Sequence, residues 1–135
     1  MSQSKPTAQR PLSPHLGIYR MQITMAMSII HRITGAALYF GTVLLAAWLI
    51  SAATSPDAFR FVNGLLGHPL GLLVLFGYTW ALIHHMFGGI RHLIWDTGRG
   101  LDKASADTIC WLTLIGSIGL TAALWFIGLS TRGML

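Results

Sequence analysis

Charge is what this chain has least of. Nine Lys or Arg and four Asp or Glu make up 10% of 135 residues, against roughly 25% in a soluble domain. That shortage excludes an ordinary water-facing globular surface. Cysteine is nearly absent too. The lone Cys110 excludes a disulfide framework, a zinc ribbon and a self-contained iron–sulfur site, which needs about four thiolates. No Gly-x-Gly-x-x-Gly element follows a strand, so a dinucleotide or flavin fold is excluded as well. The first ten residues, Met1 to Arg10, have neither an apolar signal core nor an Arg-rich amphipathic transit pattern. The simplest expectation is a bacterial inner (cytoplasmic) membrane protein inserted by its own helices, with a processed organellar subunit as the alternative. Residues 1–17 read as a flexible cytoplasmic N-terminus.

What the chain has is apolar length. Hydrophobic residues make up 53%, and the mean hydropathy is +0.61. Three long apolar runs stand out, at about residues 33–53, 69–96 and 108–129. They predict an all-α integral membrane protein of one domain over 1–135, with three transmembrane helices in an up-down-up bundle. An amphipathic lead-in from Ile18 to Arg32 precedes the first run, near the membrane interface. Pro56 ends the first helix and Pro69 starts the second. Gly116, Ser117 and Gly119 give the third a small-residue surface for helix contact. The second run, of 28 residues, is about 42 Å long. It exceeds a hydrocarbon core of about 30 Å, so its end, with Arg91, His92 and Asp96, is expected in the headgroup layer.

The net charge of +5 does not indicate nucleic acid, because the basic residues are scattered along membrane flanks. They serve better as headgroup contacts and topology determinants. Lys5, Arg10, Arg20, Arg32, Arg91, Arg99 and Lys103 fall on one side, Arg60 and Arg132 on the other. Seven against two predicts a cytoplasmic N-terminus and a periplasmic C-terminus.

The second run carries the chemistry. His85, Gly89, His92 and Asp96 lie at i, i+4, i+7 and i+11, within a stripe about 60° wide. An ionisable group at membrane depth costs roughly 2.5–3.5 kcal/mol on insertion scales and normally faces a bundle interior or a ligand. Imidazole is the common axial donor to b-type haem. Ala81 and Gly89, one turn either side of His85, leave room for a macrocycle edge. Haem ligation by His85 is the favoured reading, and an interhelical hydrogen bond from a buried histidine is the alternative. His84 lies about 100° off the stripe and is better placed to contact another helix or subunit. His92 sits roughly 10 Å further along the axis, too far to share an iron with His85. It could meet a propionate or join Asp96 in proton delivery. With no other core histidine available, the second axial ligand must come from a partner chain.

A second constellation, Ser28, His31 and Arg32, lies at i, i+3 and i+4 on one face at the mouth of the first helix. A hydroxyl, an imidazole and a guanidinium suit a carbonyl or carboxylate acceptor, such as a quinone head group or haem propionates. Snorkelling to lipid headgroups fits that spacing equally well.

Together these stretches resemble the cytochrome b membrane-anchor subunits of succinate dehydrogenase, respiratory complex II. The family's first motif begins with Arg-Pro and closes with Ser-x-x-His-Arg-x-Ser/Thr, matched by Arg10-Pro11 and by Ser28, His31, Arg32 and Thr34. Its second is matched by His85, Gly89, Ile90, Arg91, His92, Leu93, Trp95 and Asp96. The resemblance covers essentially the whole chain. It implies that His85 is an axial ligand of one haem b shared with a second small anchor subunit, which supplies the other histidine. It implies a ubiquinone site that includes Ser28 and Arg32, with His31 and Arg32 near the haem propionates. It places flavin and iron–sulfur clusters in two hydrophilic partner subunits on the cytoplasmic face. The chain is then a non-catalytic subunit of an oxidoreductase complex. A haem b anchor of another quinone-linked dehydrogenase, such as fumarate reductase or a hydrogenase, is the alternative. Such anchors can hold two haems and then need more core histidines. A cofactor-free structural or transport protein leaves the histidine stripe unexplained.

Overall fold

A computed structural model describes residues 20–133. Arg10, Pro11 and the expected flexible segment 1–17 lie outside the described residues. Four helices follow in chain order: α1 (Ile23–Thr54), α2 (Pro56–Gly67), α3 (Pro69–Asp96) and α4 (Lys103–Thr131). Among the described residues there is no strand. Helices α1, α3 and α4 are each long and apolar enough to cross a membrane. The chain is an all-α, multi-pass integral membrane protein.

The helix boundaries follow from local chemistry. No proline interrupts the chain between Gln22 and Ser55, so the lead-in from Ile23 onward forms the first turns of α1 and not a separate element. At 32 residues, α1 is about 48 Å long, so its N-terminal turns stand clear of the hydrocarbon. Pro56 closes α1 as expected, but it also opens α2, a 12-residue helix that the apolar runs did not reveal. The Ser55 hydroxyl accepts from the Ala58 N–H at 3.1 Å, and Pro56 occupies the first turn. Asp57 there favours the positive helix end and pairs with the exposed Arg60. At about 18 Å α2 is too short to span a bilayer. It folds back on the end of α1, where Trp48 Nε1 donates to Asn63 Oδ1 at 3.1 Å.

The His68 ring caps α3 by accepting from the Leu70 N–H at 3.3 Å, and α3 has the span that its sequence predicts. The turn after it uses positive φ at Gly98 (77°) and Gly100 (69°). Trp95 Nε1 pins this turn by donating to the Gly100 carbonyl at 3.0 Å. Asp102 then caps α4, accepting from the Ser105 N–H at 3.0 Å. Hydrogen bonds from Ser105 hold the Asp102 carboxyl below its ordinary range. With that cap, and a Lys103–Asp107 pair at 3.0 Å, α4 starts five residues before the apolar run at Thr108.

Antiparallel packing is evident in the contacts. Going up α1 from His31 to Gly35 to Gly41, the partners on α3 descend from Gly88 to His85 to Tyr78. Between α3 and α4, His84 meets Ser117 and Thr79 meets Trp125. The interior is rich in small hydroxyls: Thr34, Ser51, Thr113, Ser117 and Thr121 are buried beside Met27, Ala81, Ile83 and Cys110, while Phe40, Ile115 and Phe126 face outward. That inversion suits a hydrocarbon solvent, in which burying apolar bulk gains little and close packing with satisfied hydroxyls holds helices together. Several hydroxyls are satisfied within their own helix, as in Thr121 Oγ1 to the Ser117 carbonyl at 2.7 Å. Small residues set the approach. A methyl at Gly41 would overlap the Tyr78 ring, and one at Gly116 would stand 3.0 Å from Phe87. Gly119, expected on the same contact surface, faces open space instead.

Candidate functional site

The centre of the site is a pair of imidazoles from facing helices. His31 on α1 and His85 on α3 stack with ring centroids 4.0 Å apart and planes 2° from parallel. Each ring rests against a glycine of the opposite helix. A methyl at Gly35 would come within 3.0 Å of His85 Cε1, and one at Gly88 would collide with the His31 ring. The spacing carried this signal: Gly35 follows His31 by four residues and Gly88 follows His85 by three. Each glycine therefore lies near the histidine face of its own helix. Gly89, the glycine expected to make room beside His85, adjoins open space. Ala81 is buried.

The hydrogen bonds of His85 determine its tautomer. Its Nδ1 lies 3.1 Å from the His31 carbonyl oxygen and 3.3 Å from Thr34 Oγ1. The carbonyl can only accept. The Thr34 hydroxyl donates its own proton to that same carbonyl at 2.9 Å, which leaves its oxygen as an acceptor. The proton therefore resides on His85 Nδ1, and Nε2 keeps the lone pair needed to ligate a metal. Fixing one ring nitrogen so that the other can coordinate is the usual second-layer arrangement of metal-bound histidine.

His84 faces the other way. It is buried, with Nδ1 3.0 Å from Ser117 Oγ of α4 and its ring 5.1 Å from that of Trp80. A contact to another helix is the role expected of it.

The second constellation opens out beside this stack. Arg32 Nη2 donates to Ser28 Oγ at 3.3 Å, while His31 turns toward α3. The three residues thus divide: Ser28 and Arg32 share a groove, and His31 joins His85. The groove, of about 440 Å³, is lined by Ser28, Arg32, Arg91, His92 and Trp95, with apolar contributions from Met21, Met25 and Ile29. His92 lies 5.4 Å from the ring of His31 and 5.4 Å from that of Trp95. Asp96 is exposed and makes no ion pair among the described residues. His92 and Asp96 occupy one face of α3, with no hydrogen bond joining them.

Arg91 departs from expectation. Its place near the end of α3 suggests a headgroup contact, yet it is 2% exposed. Its guanidinium lies over Trp95, 5.1 Å from the ring centroid, and Nη1 is 3.5 Å from Cys110 Sγ. The reason is angular: Arg91 follows His84 by seven residues, and therefore shares the face that packs on α4.

The sequence matches the succinate dehydrogenase/fumarate reductase transmembrane subunit family over residues 6–127. It is 43% identical to the succinate dehydrogenase cytochrome b556 subunit of Paracoccus denitrificans over 111 residues, covering 82% of this chain and 85% of that protein. The cytochrome b556 subunit from Rickettsia felis is 40% identical over 117 residues, 87% of this chain and 91% of that one. The mitochondrial cytochrome b560 subunit of Sus scrofa is 43% identical over 124 residues, 85% of this chain and 72% of that one. Matches of this length and identity place both constellations within one homologous framework. The chain belongs to the succinate dehydrogenase/fumarate reductase transmembrane subunit family.

Proposed function

We propose that the chain is the membrane-anchoring, haem b-binding subunit of a succinate–ubiquinone oxidoreductase, and that it contributes part of the quinone site. The observation that carries this reading is the seating of His85, whose Nδ1 is committed to the His31 carbonyl so that Nε2 remains a metal donor. The residues present fit a haem b. Beside the donor stands His31, whose buried Nδ1 has no hydrogen-bond partner. Arg32, one residue on and turned to the groove, offers its guanidinium to a propionate carboxylate, with the His31 ring in that vicinity. When bound, such a haem supplies a one-electron carrier within the bilayer. A second imidazole to hold the haem would come from a second small anchor subunit, since His84 is occupied with Ser117 and His68 caps α3.

The remaining chemistry belongs to the chain's own side chains. Ser28 offers a hydroxyl to a quinone carbonyl. Arg32 holds a fixed positive charge where negative charge develops on reduction. The apolar members of the groove, Met21, Met25 and Ile29, suit a ring carrying an isoprenoid tail. His92, at the rim and within reach of water, is the better placed member of a proton relay, with Asp96 one turn beyond it. The anchor itself oxidises no succinate; a flavoprotein does so on the cytoplasmic side, and an iron–sulfur subunit passes the electrons on. The relatives are named as succinate dehydrogenase subunits, which supports the succinate dehydrogenase reading over a fumarate reductase anchor.

Affinity purification of the tagged chain from bacterial membranes tests the assignment. A flavoprotein, an iron–sulfur protein and one further small membrane protein should accompany it, with a b-type absorption band. Recovery of the chain alone and colourless would overturn it.

Orientation follows from the seven-to-two asymmetry of Lys and Arg. The groove side faces the cytoplasm and α2 faces the periplasm of the inner membrane. An impermeant thiol reagent applied to intact cells should label Asp57→Cys and spare Arg99→Cys. The opposite pattern refutes this topology.

A further inference from the structure

Arg91 is the only buried fixed charge among the described residues, and no carboxylate among them pairs with it. The ion pairs among those residues are Asp57–Arg60 and Lys103–Asp107, neither of which involves it. A guanidinium has five N–H donors. Here one of them faces the sulfur of Cys110 at 3.5 Å, a weak acceptor, and the buried Nε has no partner. The face of Trp95 attracts the cation without cancelling its charge. A buried cation left in this state is expensive, and such groups in a membrane are normally functional. Its surroundings show where the charge acts. Arg91 borders the same groove as Ser28, Arg32 and His92, and among the described residues no carboxylate lines it. Two arginines from different helices thus border one opening, the exposed Arg32 from α1 and the buried Arg91 from α3, whose guanidinium lies behind it between Trp95 and Cys110.

We propose that Arg91 is a second fixed cation of the quinone groove, which with Arg32 stabilises the one-electron-reduced quinone anion. The proposal rests on reading this groove as the quinone site. One electron, originating in succinate oxidation by the partner subunits, converts the neutral quinone to a radical anion. A second electron and two protons complete the quinol. Arginine stays protonated throughout, so Arg91 moves no proton and acts through its field. Its effect falls on the anion and hardly at all on the neutral quinone. Loss of the charge should therefore lower kcat and leave KM for quinone nearly unchanged.

The test uses the assembled complex in its native membranes, with a short-chain ubiquinone as acceptor. Arg91→Met keeps buried volume and removes charge, and burying an apolar side chain in place of an ion is often neutral for stability. Arg91→Met should assemble with its haem band intact, and kcat and the radical signal of half-reduced quinone should each fall at least roughly tenfold. Arg91→Lys should restore most of both. Unchanged kcat and radical signal in Arg91→Met would overturn the proposal. So would failure of Arg91→Met to assemble while Arg91→Lys assembles, which would assign the charge to assembly. A shifted haem potential with a normal radical signal would also overturn it, because the anion served would then be a propionate. Ser28→Ala separates the two levels: if it too reduces quinone at the wild-type rate, the groove itself has been misread. If Ser28→Ala is impaired and Arg91→Met is not, only the role of Arg91 is lost.

Discussion

His85→Ala is expected to abolish or grossly perturb the b-type absorption of membranes that contain this chain, while His84→Ala leaves two-histidine ligation in place. Their environments separate these neighbours. The His85 Nδ1 is fixed by a backbone carbonyl and by Thr34, which leaves the far nitrogen as a ligand. His84 spends its Nδ1 on Ser117 across the α3–α4 seam. Its removal takes one of two partners from the Ser117 hydroxyl, which still donates to the Leu114 carbonyl in its own helix at 2.9 Å. The lost hydrogen bond is worth about 0.5–1.5 kcal/mol of stability. Redox difference spectra of the two variants give the answer. A spectrum that survives the first substitution, or vanishes only with the second, rules out His85 as the ligand.

The second large effect concerns quinone reduction. Ser28→Ala and Arg32→Leu should each depress it by on the order of 10²–10³, the usual cost of one well-placed donor to developing negative charge. Succinate oxidation with a soluble dye should continue in both. The two side chains already touch, at 3.3 Å, and the substitutions act within one unit. The double variant should therefore lose much less than the product of the single losses. Wild-type quinone turnover in both assembled single variants would move the pocket elsewhere.

The three spans were legible because their signal is redundant: apolar length in all three, Pro56 after α1, Pro69 at the start of α3 and a polar glycine turn between α3 and α4 all agree. Helix α2 was less legible, since Ser55-Pro56 reads as both a stop and a start. Only the following amphipathic turns decide in favour of the start. Ser28 and Arg32 could be placed together from i, i+4 spacing alone. The turn of His31 toward His85 could not, because it depends on Gly88 of another helix. Arg91 shows the limit most clearly. Linear position near a helix end suggested headgroups, whereas its seven-residue distance from His84 placed it on the α4 face. Periodicity specifies which residues share a face, but the neighbour of that face is a tertiary fact.

The crossed seating of His31 against Gly88 and of His85 against Gly35 works as a vernier. Sliding α1 past α3 by one turn, about 5.4 Å, would drive both imidazoles off their glycines at once and against side-chain-bearing positions. It would also take the His31 carbonyl away from the His85 Nδ1, and with it the tautomer that frees Nε2. Register and ligand readiness are thus a single variable. If His85 ligates the haem as proposed, a mispaired pair of helices cannot present it, and cofactor capture would itself discriminate correctly assembled anchors from those that have slipped.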